Sequence, residues 1–219
     1  MSAYGSGMLP DLPHAVPDAV GWLAGDVPNL DKARAAAMRI VRDGTRAAEI
    51  ITRIRLLFQK GTPQWQLVDV NEIIGEMIVL LSGETERCSI SVRTDFTADL
   101  AQVMGDRVQL QQVMMNLMTN SIDAMKVVDG TRELEIKSQR AENEQLLVSV
   151  ADTGVGLPPQ QADQIFDAFF TTKPNGTGMG LRICRSIVES HGGRLWAGNN
   201  SPRGARMSLT LPTKSGARD

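Results

Sequence analysis

A carboxylate and two glycines follow one of the apolar runs of the chain. Asp152, Gly154 and Gly156 come directly after residues 146–151, which are predicted to form a strand. A carboxylate at a strand end can accept a hydrogen bond from an exocyclic amine, and nearby glycines let a flat ring lie against the backbone. Such a buried bond contributes about 1.5–3 kcal/mol. The pattern fits recognition of adenine, but Asp with glycines also forms ordinary turns, so by itself it leaves both interpretations open.

A second stretch is rich in glycine and leads into a predicted helix. Glycines there let backbone N–H groups approach phosphate oxygens, and the helix N-terminus adds a favourable dipole. The spacing GxGxG is not the Rossmann fingerprint, and no Lys-Ser or Lys-Thr follows as in a Walker A loop. It indicates a phosphate loop of a third kind, with a glycine-rich surface turn as the open alternative. The candidate nucleotide-binding residues are Lys173, Gly176, Thr177, Gly178, Met179, Gly180 and Leu181.

A third group of polar residues lies on the predicted helix 107–127. Asn116, Asn120 and Asp123 recur at steps of four and three and therefore share one face of an otherwise apolar helix. The side-chain carbonyl of Asn120 suits Mg²⁺, which keeps several waters and phosphate oxygens in its octahedron. The alternative is a solvated stripe or a local side-chain network.

Taken in order, these stretches resemble the conserved boxes of sensor histidine kinases. Residues 116–124 (NLMTNSIDA) resemble the N box, 152–156 (DTGVG) the first glycine box, 165–173 (IFDAFFTTK) the F box and 176–181 (GTGMGL) the second glycine box. The likeness spans about residues 64–212. It implies an α+β fold of the GHKL or Bergerat type, a two-layer sandwich in which a mixed sheet lies under three helices.

The resemblance also implies roles for the residues of these boxes. Asp152 would bind the adenine amino group, Asn120 would hold Mg²⁺, and Lys173 with the second glycine box would form a mobile lid over ATP. Gly154 and Gly156 would belong to the binding site, which Asn116 and Asp123 would line. Hydrolytic members of the wider superfamily resemble one another in having Glu at the position of Asn116. An amide cannot act as a general base, so Asn116 at this catalytic position favours phosphoryl transfer over hydrolysis.

The N-terminal part is predicted to be helical and to dimerise. Residues 1–28, with four prolines, indicate a poorly ordered or altered segment, residues 29–62 a dimerisation and phosphotransfer helix, and residues 63–215 the catalytic domain. Within the predicted helix 29–60, apolar and small residues follow a heptad seam, which indicates a homodimer. Packing of the seam on the following domain is the alternative. The seam consists of Ala37, Ile40, Gly44, Ala47, Ile51, Ile54 and Phe58.

Neither histidine of the chain fits the phosphoacceptor of such kinases. His14 is followed by Ala15 and lies too close to Trp22, which suggests a truncated or replaced N-terminus, and His191 precedes two glycines at a helix end. The sequence thus predicts an ATP-dependent histidine kinase core that transfers the γ-phosphoryl group to a histidine for relay to a response regulator. This chain itself is expected to lack the acceptor. The alternatives are a truncated kinase that only binds nucleotide and dimerises, or an ATPase of the superfamily.

Composition limits the other classes of function. The chain has 219 residues, of which 42% are hydrophobic, and a net charge of -2. A net charge of this sign and size gives no overall electrostatic attraction to nucleic acid. Its longest apolar run falls far short of the roughly 20 residues that span a bilayer, and no signal peptide is visible. We therefore expect a cytoplasmic chain, or a fragment of a larger one, without membrane contact. Cys88 and Cys184 match no metal spacing and are expected to be reduced core residues.

Overall fold

The computed structural model of the protein describes residues 22, 29–41, 63–98, 100–157, 163–172 and 178–214. The chain divides into two compact units, Met1–Phe58 and Gln59–Asp219.

In the first unit, residues 30–41 are helical and form α1. Asn29 caps this helix as expected, because its Oδ1 accepts the Lys32 backbone N–H at 3.0 Å. Ala33 and Ala36 are buried, whereas Ala37, the first residue of the predicted seam, is exposed. The seam positions from 44 to 58 lie outside the described residues, as does His14.

The second unit contains a five-stranded mixed sheet. Its strand order is β2-β4-β5-β7-β6, in which β2 and β4 are parallel and the other neighbours are antiparallel. A separate ribbon pairs β1 with β3. The strands are β1 Trp65–Val68, β2 Ile90–Phe96, β3 Val103–Asp106, β4 Arg132–Ala141, β5 Gln145–Asp152, β6 Arg194–Asn199 and β7 Ala205–Pro212.

Three helices cover one face of this sheet. They are α2 Val70–Arg87, α3 Arg107–Lys126 and α4 Gly180–Ser190, and a short 3₁₀ helix spans Gln164–Phe166. α3 lies between α2 and α4 and contacts β5, while α2 contacts β2 and α4 contacts β6. Asp69 and Asp106 cap the first two of these helices: Asp69 accepts the backbone N–H groups of Asn71 and Glu72, and Asp106 accepts that of Gln109. The predicted two-layer α+β sandwich is confirmed.

The core lies between the helices and the inner face of the sheet. Leu134 and Ile136 of β4 alternate inward and are fully buried, as are Leu117, Met118 and Ile122 of α3. On the outer face Lys137 pairs with Glu135 at 2.9 Å. The period-2 pattern therefore separates an apolar layer from a charged one.

The β1–β3 ribbon was not anticipated. Val103–Asp106 has only four residues, one of them glycine, and so carries little alternation for a sequence pattern to detect. The ribbon is fixed by His191, whose Nε2 accepts the Asp106 backbone N–H at 3.0 Å while its Nδ1 lies 2.8 Å from the Ile187 carbonyl oxygen. The tautomer with the proton on Nδ1 satisfies both contacts. His191 is the C-cap of α4, as expected, and is only 6% exposed.

Candidate nucleotide-binding site

Asp152 lies at the end of β5 with its carboxylate buried, at 4% exposure. Its Oδ1 accepts the backbone N–H of Gly154 at 2.8 Å and that of Ala205 at 3.2 Å. The hydroxyl of Ser121 on α3 also donates to this carboxylate. Since both backbone donors use Oδ1, Oδ2 keeps the capacity to accept a further hydrogen bond.

Two opposing influences act on the pKa of Asp152. Burial raises it above its ordinary value, while the hydrogen bonds from Gly154, Ala205 and Ser121 favour the charged form and partly offset that rise. The result is a net upward shift. The charged form of Asp152 is therefore less favoured than in a free carboxyl group, and a donor that binds Oδ2 would favour it.

The loop after Asp152 packs closely on α3. A Cβ added to Gly154 would lie 2.7 Å from the backbone carbonyl of Ala124, so only glycine permits this approach. Gly156 has φ +77°, in the left-handed region that glycine adopts without strain. Both glycines are thus required by the backbone that surrounds Asp152.

Residues at the end of β6 and in the turn before β7 support the same loop. The Asn200 side-chain amide donates to the Asp152 carbonyl oxygen at 2.9 Å, and Asn199 Oδ1 accepts the Leu157 backbone N–H at 3.3 Å. Gly204, at φ +101°, packs directly on the Asp152 backbone. Sequence reasoning missed these residues and Ser121, since their only signal is a run of turn-forming residues at 199–204.

Asn116 lies further toward the N-terminus of α3, beside the beginning of α4. A Cβ built on Gly180 would lie 3.5 Å from Asn116 Oδ1, an ordinary contact. Asn116 Nδ2 is buried and meets no acceptor in hydrogen-bond geometry among the described residues. A buried donor left in this state costs about 1–3 kcal/mol.

The Asn116 amide nevertheless lies next to Cys184. Burial raises the pKa of the Cys184 thiol to about 12, and the neighbouring Asn116 amide acts in the opposite direction. Cys184 is fully buried, as the core prediction requires, whereas Cys88 is only half-buried.

Asn120 and Asp123 are half-buried on the same helix. The carboxylate of Asp123 lies 2.8 Å from the ammonium of Lys126, which also contacts Glu84 at 2.7 Å. Asp123 therefore belongs to a charged network at the end of α3. Within the described residues, no three His, Cys, Asp or Glu side chains come together as a metal cage. A lone amide such as Asn120 fits an ion that retains water and phosphate ligands.

Gly178 and Phe169 meet at the edge of the glycine-rich stretch. The Phe169 backbone N–H donates to the Gly178 carbonyl at 3.1 Å, and both residues have positive φ, +68° and +65°. Met179 is the N-cap of α4 and makes no side-chain cap hydrogen bond, and Leu181 in the first turn is half-buried. Lys173, Gly176 and Thr177 lie outside the described residues.

These elements place the buried Asp152 carboxylate and the N-terminus of α4 against one helix, α3. Ser121 and Asn116 are five residues apart on α3, about 7.5 Å along its axis. Ser121 contacts the Asp152 carboxylate, and Asn116 lies beside Gly180. The family model for histidine kinase-, DNA gyrase B-, and HSP90-like ATPases matches residues 105–215, just over half of the chain. The chain belongs to this family.

Relatives place it among the histidine kinases of this ATPase family. It is 37% identical over 193 residues to the sensor histidine kinase TmoS of Ectopseudomonas mendocina, covering 87% of this chain and 20% of that protein. The catalytic domain of histidine kinase ThkA, in a nucleotide-free form, has a TM-score of 0.62 and 32% identity over 68% of this chain and 96% of the domain. The chain thus carries the ATP-binding domain of a sensor histidine kinase.

A further solved structure contains a second protein. It is histidine kinase ThkA in complex with the response regulator protein TrrA, with a TM-score of 0.62 and 25% identity over 94% of this chain and 60% of that one.

The region of this chain that matches TmoS spans about one fifth of the length of TmoS. No helix within the described residues has the length and apolar character needed to cross a membrane.

Proposed function

We propose that this chain is the ATP-binding and phosphoryl-transfer core of a protein-histidine kinase. It binds Mg²⁺-ATP and transfers the γ-phosphoryl group to a histidine held by a dimerisation helix, from which a response regulator takes it. The observation that carries the proposal is the Asp152 carboxylate, which is buried, held by two backbone N–H groups through Oδ1, and able to accept from the adenine amino group through Oδ2.

The other site residues are proposed to act along α3 and at the N-terminus of α4. Asn120 would offer its carbonyl oxygen to Mg²⁺, which supplies charge neutralisation at the phosphates when bound. The backbone N–H groups at the start of α4, where the Met179 side chain makes no cap hydrogen bond, would face phosphate oxygens. Asp123 would line the site through its pair with Lys126. Gly154 and Gly156 shape the adenine end, while Lys173, Gly176, Thr177, Gly178, Met179, Gly180 and Leu181 would cover the phosphates.

Transfer rather than hydrolysis is supported by the side chain at position 116. Asn116 is the polar residue of α3 that faces Gly180. Because an amide cannot take a proton from water, this position cannot supply a general base for hydrolysis. A nucleophile delivered by another segment of the protein would then be the natural acceptor.

The proposed acceptor and partners lie beyond the catalytic domain. His191 is buried and both of its ring nitrogens are engaged, so it cannot receive a phosphoryl group without local unfolding. The helix 29–60 would form a homodimer, and the phosphoryl group would pass to a response regulator in the cytoplasm. This relay is supported by the ThkA–TrrA complex, although the partner there belongs to that kinase.

The test uses γ-labelled ATP with the chain alone and with a longer copy of the protein that carries an intact hairpin. We expect acid-labile, base-stable label on the longer copy only, and none with Asp152→Asn. Nucleotide binding without label on either would instead show a module that binds ATP and dimerises. Steady phosphate release that Asp152→Asn abolishes would show an ATPase.

A further inference from the structure

An arginine on the outer face of the sheet lies behind the strand that ends at Asp152. Arg206 of β7 opposes Ala151 of β5, which in turn opposes Glu135 of β4, so their side chains form one row across three strands. The small side chain of Ala151 lets the guanidinium extend across β5 to Glu135, where Nη2 lies 3.4 Å from Oε2. Its Nη1 lies 3.3 Å from Ser149 Oγ. These contacts hold the guanidinium beside the strand that carries Asp152.

The same guanidinium contacts the turn before β7. Nη2 of Arg206 donates to Oδ1 of Asn200 at 3.1 Å, and Nδ2 of that amide donates to the Asp152 carbonyl oxygen at 2.9 Å. The Asn200 backbone N–H donates to the Gly204 carbonyl oxygen at 2.9 Å. Gly204 packs so closely on Asp152 that a Cβ at this position would collide with the Asp152 carbonyl oxygen. The side chain of Asn200 thus links a charged residue of the outer face to the backbone of Asp152.

We propose that Arg206 is a positioning residue for Asp152 and acts through the amide of Asn200. A guanidinium can only donate and a carbonyl oxygen can only accept, so a single orientation of the amide satisfies both neighbours. Arg206 fixes Oδ1 and thereby directs Nδ2 at the Asp152 carbonyl oxygen. Without the guanidinium the amide can rotate by half a turn with little change in shape, and Oδ1 would then face a second acceptor.

The consequence concerns how the site distinguishes adenine from other bases. The proposed function assigns Asp152 Oδ2 to the exocyclic amine, and a hydrogen bond of this kind weakens steeply when its geometry is disturbed. A displaced carboxylate loses this bond but leaves contacts elsewhere on the nucleotide in place. Arg206 and Asn200 therefore set the preference for a nucleotide that has the amino group. In this respect the inference rests on the proposed function, whereas the connection from Arg206 to Asp152 can be measured without a ligand.

Four variants separate the contacts of the amide. Asn200→Asp keeps an oxygen for Arg206 and removes the donor to Asp152, whereas Arg206→Met keeps an apolar stem and removes the donor to Asn200. Arg206→Lys retains a positively charged donor and tests rescue. Arg93→Met is the matched control, because Arg93 pairs with Glu133 of β4 at 3.2 Å on β2, which two strands separate from β7.

The first measurement is hydrogen exchange at the Gly154 backbone N–H, which donates to Asp152 Oδ1 at 2.8 Å. In the ligand-free protein we expect Asn200→Asp and Arg206→Met to speed this exchange about three- to tenfold, the effect of losing one hydrogen bond. Arg206→Lys and Arg93→Met should stay within about twofold of the unchanged protein. Exchange at the buried Ile136 N–H, followed in the same samples, corrects for any change in global stability.

A Gly154 exchange rate that Arg206→Met leaves unchanged overturns the proposal, since Asp152 would then keep its position without the guanidinium. If Arg206→Met does not fold, Arg206→Thr removes the guanidinium with a residue that suits a strand.

The second measurement compares ATP with purine riboside triphosphate, which lacks the exocyclic amino group, by calorimetric titration. We expect Asn200→Asp and Arg206→Met to reduce the preference for ATP about three- to tenfold, with the affinity for the analogue nearly unchanged. In an Asn200→Ala background, Arg206→Met should have no further effect.

Equal losses for both nucleotides would show a general loosening of the domain, and additive losses with Asn200→Ala would show that Arg206 acts by another route. Either result overturns the proposal. If the unchanged protein binds neither nucleotide, the proposed function is contradicted, and the exchange rate at Gly154 alone decides whether Arg206 positions Asp152.

Discussion

Asp152 Oδ1 accepts the backbone N–H of Ala205 at 3.2 Å, so the carboxylate at the end of β5 is fixed by the first residue of β7. The contact continues the ladder in which Ala151 opposes Arg206. The Asn200 side chain completes the connection by donating to the Asp152 carbonyl oxygen. A site whose motif lies at 152–156 is therefore positioned by residues about 50 positions later, and it is complete only when the last strand has been added to the sheet.

The substitution Asp152→Asn is expected to weaken ATP binding without destabilising the fold. The Asn side-chain carbonyl can still accept hydrogen bonds from the N–H groups of Gly154 and Ala205. Its NH₂ group, however, is a donor that would face the adenine amino group, which is also a donor. We expect the affinity for ATP to fall about 10- to 100-fold, the worth of one charge-assisted hydrogen bond. The midpoint of thermal unfolding should stay the same or rise. Calorimetric titration and a melting curve measure the two effects, and an unchanged affinity would remove Asp152 from the site.

The pKa of Asp152 gives stability and binding opposite dependences on pH. Because burial raises the folded-state pKa above the unfolded value, the folded protein binds more protons between the two, and the contribution of this group to stability is lost as pH rises through that window. Nucleotide binding needs the ionised form, so affinity should fall as pH drops through the raised pKa. Carbon resonances of the Asp152 carboxyl, followed against pH, should show a lower pKa with ADP bound than without it. Equal values in both states contradict the assignment.

Gly178 and Gly180 are both in the glycine-rich stretch, but they differ in what surrounds them. A Cβ on Gly178 would lie 2.6 Å from Phe169 Cα, and the residue has φ +65°, whereas a Cβ on Gly180 meets only ordinary contacts. We expect Gly178→Ala to displace the Phe169 turn and to weaken ATP binding about tenfold or more. Gly180→Ala, the matched control, should bind within about threefold of the unchanged protein. Similar losses in both variants would show that the requirement for glycine lies with the ligand and not with Phe169.

Elements with a clear periodic pattern and partners close in sequence can be predicted from the sequence, whereas short elements with distant partners cannot. Alternation within residues 133–138 and 145–151 predicts the hairpin of β4 and β5, whose two strands are close in sequence. Helix α3 was predicted within one residue of its end at Lys126. The ribbon of β1 and β3 was missed, because a four-residue strand such as Val103–Asp106 has too few positions to show a period.

The candidate site follows the same rule. Residues within one motif, such as Asp152 and Gly154, were found from their spacing. Ser121 and Gly204 were not, because their part in the site depends on which elements become neighbours in space. The charged pair of Asp123 with Lys126 also needed side-chain positions, since a helix period alone places both at the surface without saying what each contacts.

His191 offers a test of how the ribbon is held on the domain. Its Nε2 accepts the Asp106 backbone N–H, its Nδ1 contacts Ile187, and its ring lies 4.7 Å from that of Trp65. His191→Asn can replace only the Nδ1 contact and leaves a buried N–H of Asp106 without an acceptor, which costs about 1–3 kcal/mol. His191→Gln places its carbonyl oxygen near the position of Nε2 and should recover part of this loss. Unfolding in urea should therefore rank the unchanged protein above Gln and Gln above Asn.

The same variants separate a structural role of His191 from a phosphorylation site. If the imidazole only links α4 to β3, His191→Gln should still transfer the γ-phosphoryl group to the longer copy at a rate close to that of the unchanged protein, because the ring is far along α4 from Gly180, about 16 Å at 1.5 Å per residue. Label found on the unchanged chain but absent from His191→Gln would contradict the structural role. Equal stability of the Asn and Gln variants would show instead that the Asp106 N–H finds another acceptor, and that the ribbon is held mainly by Trp65.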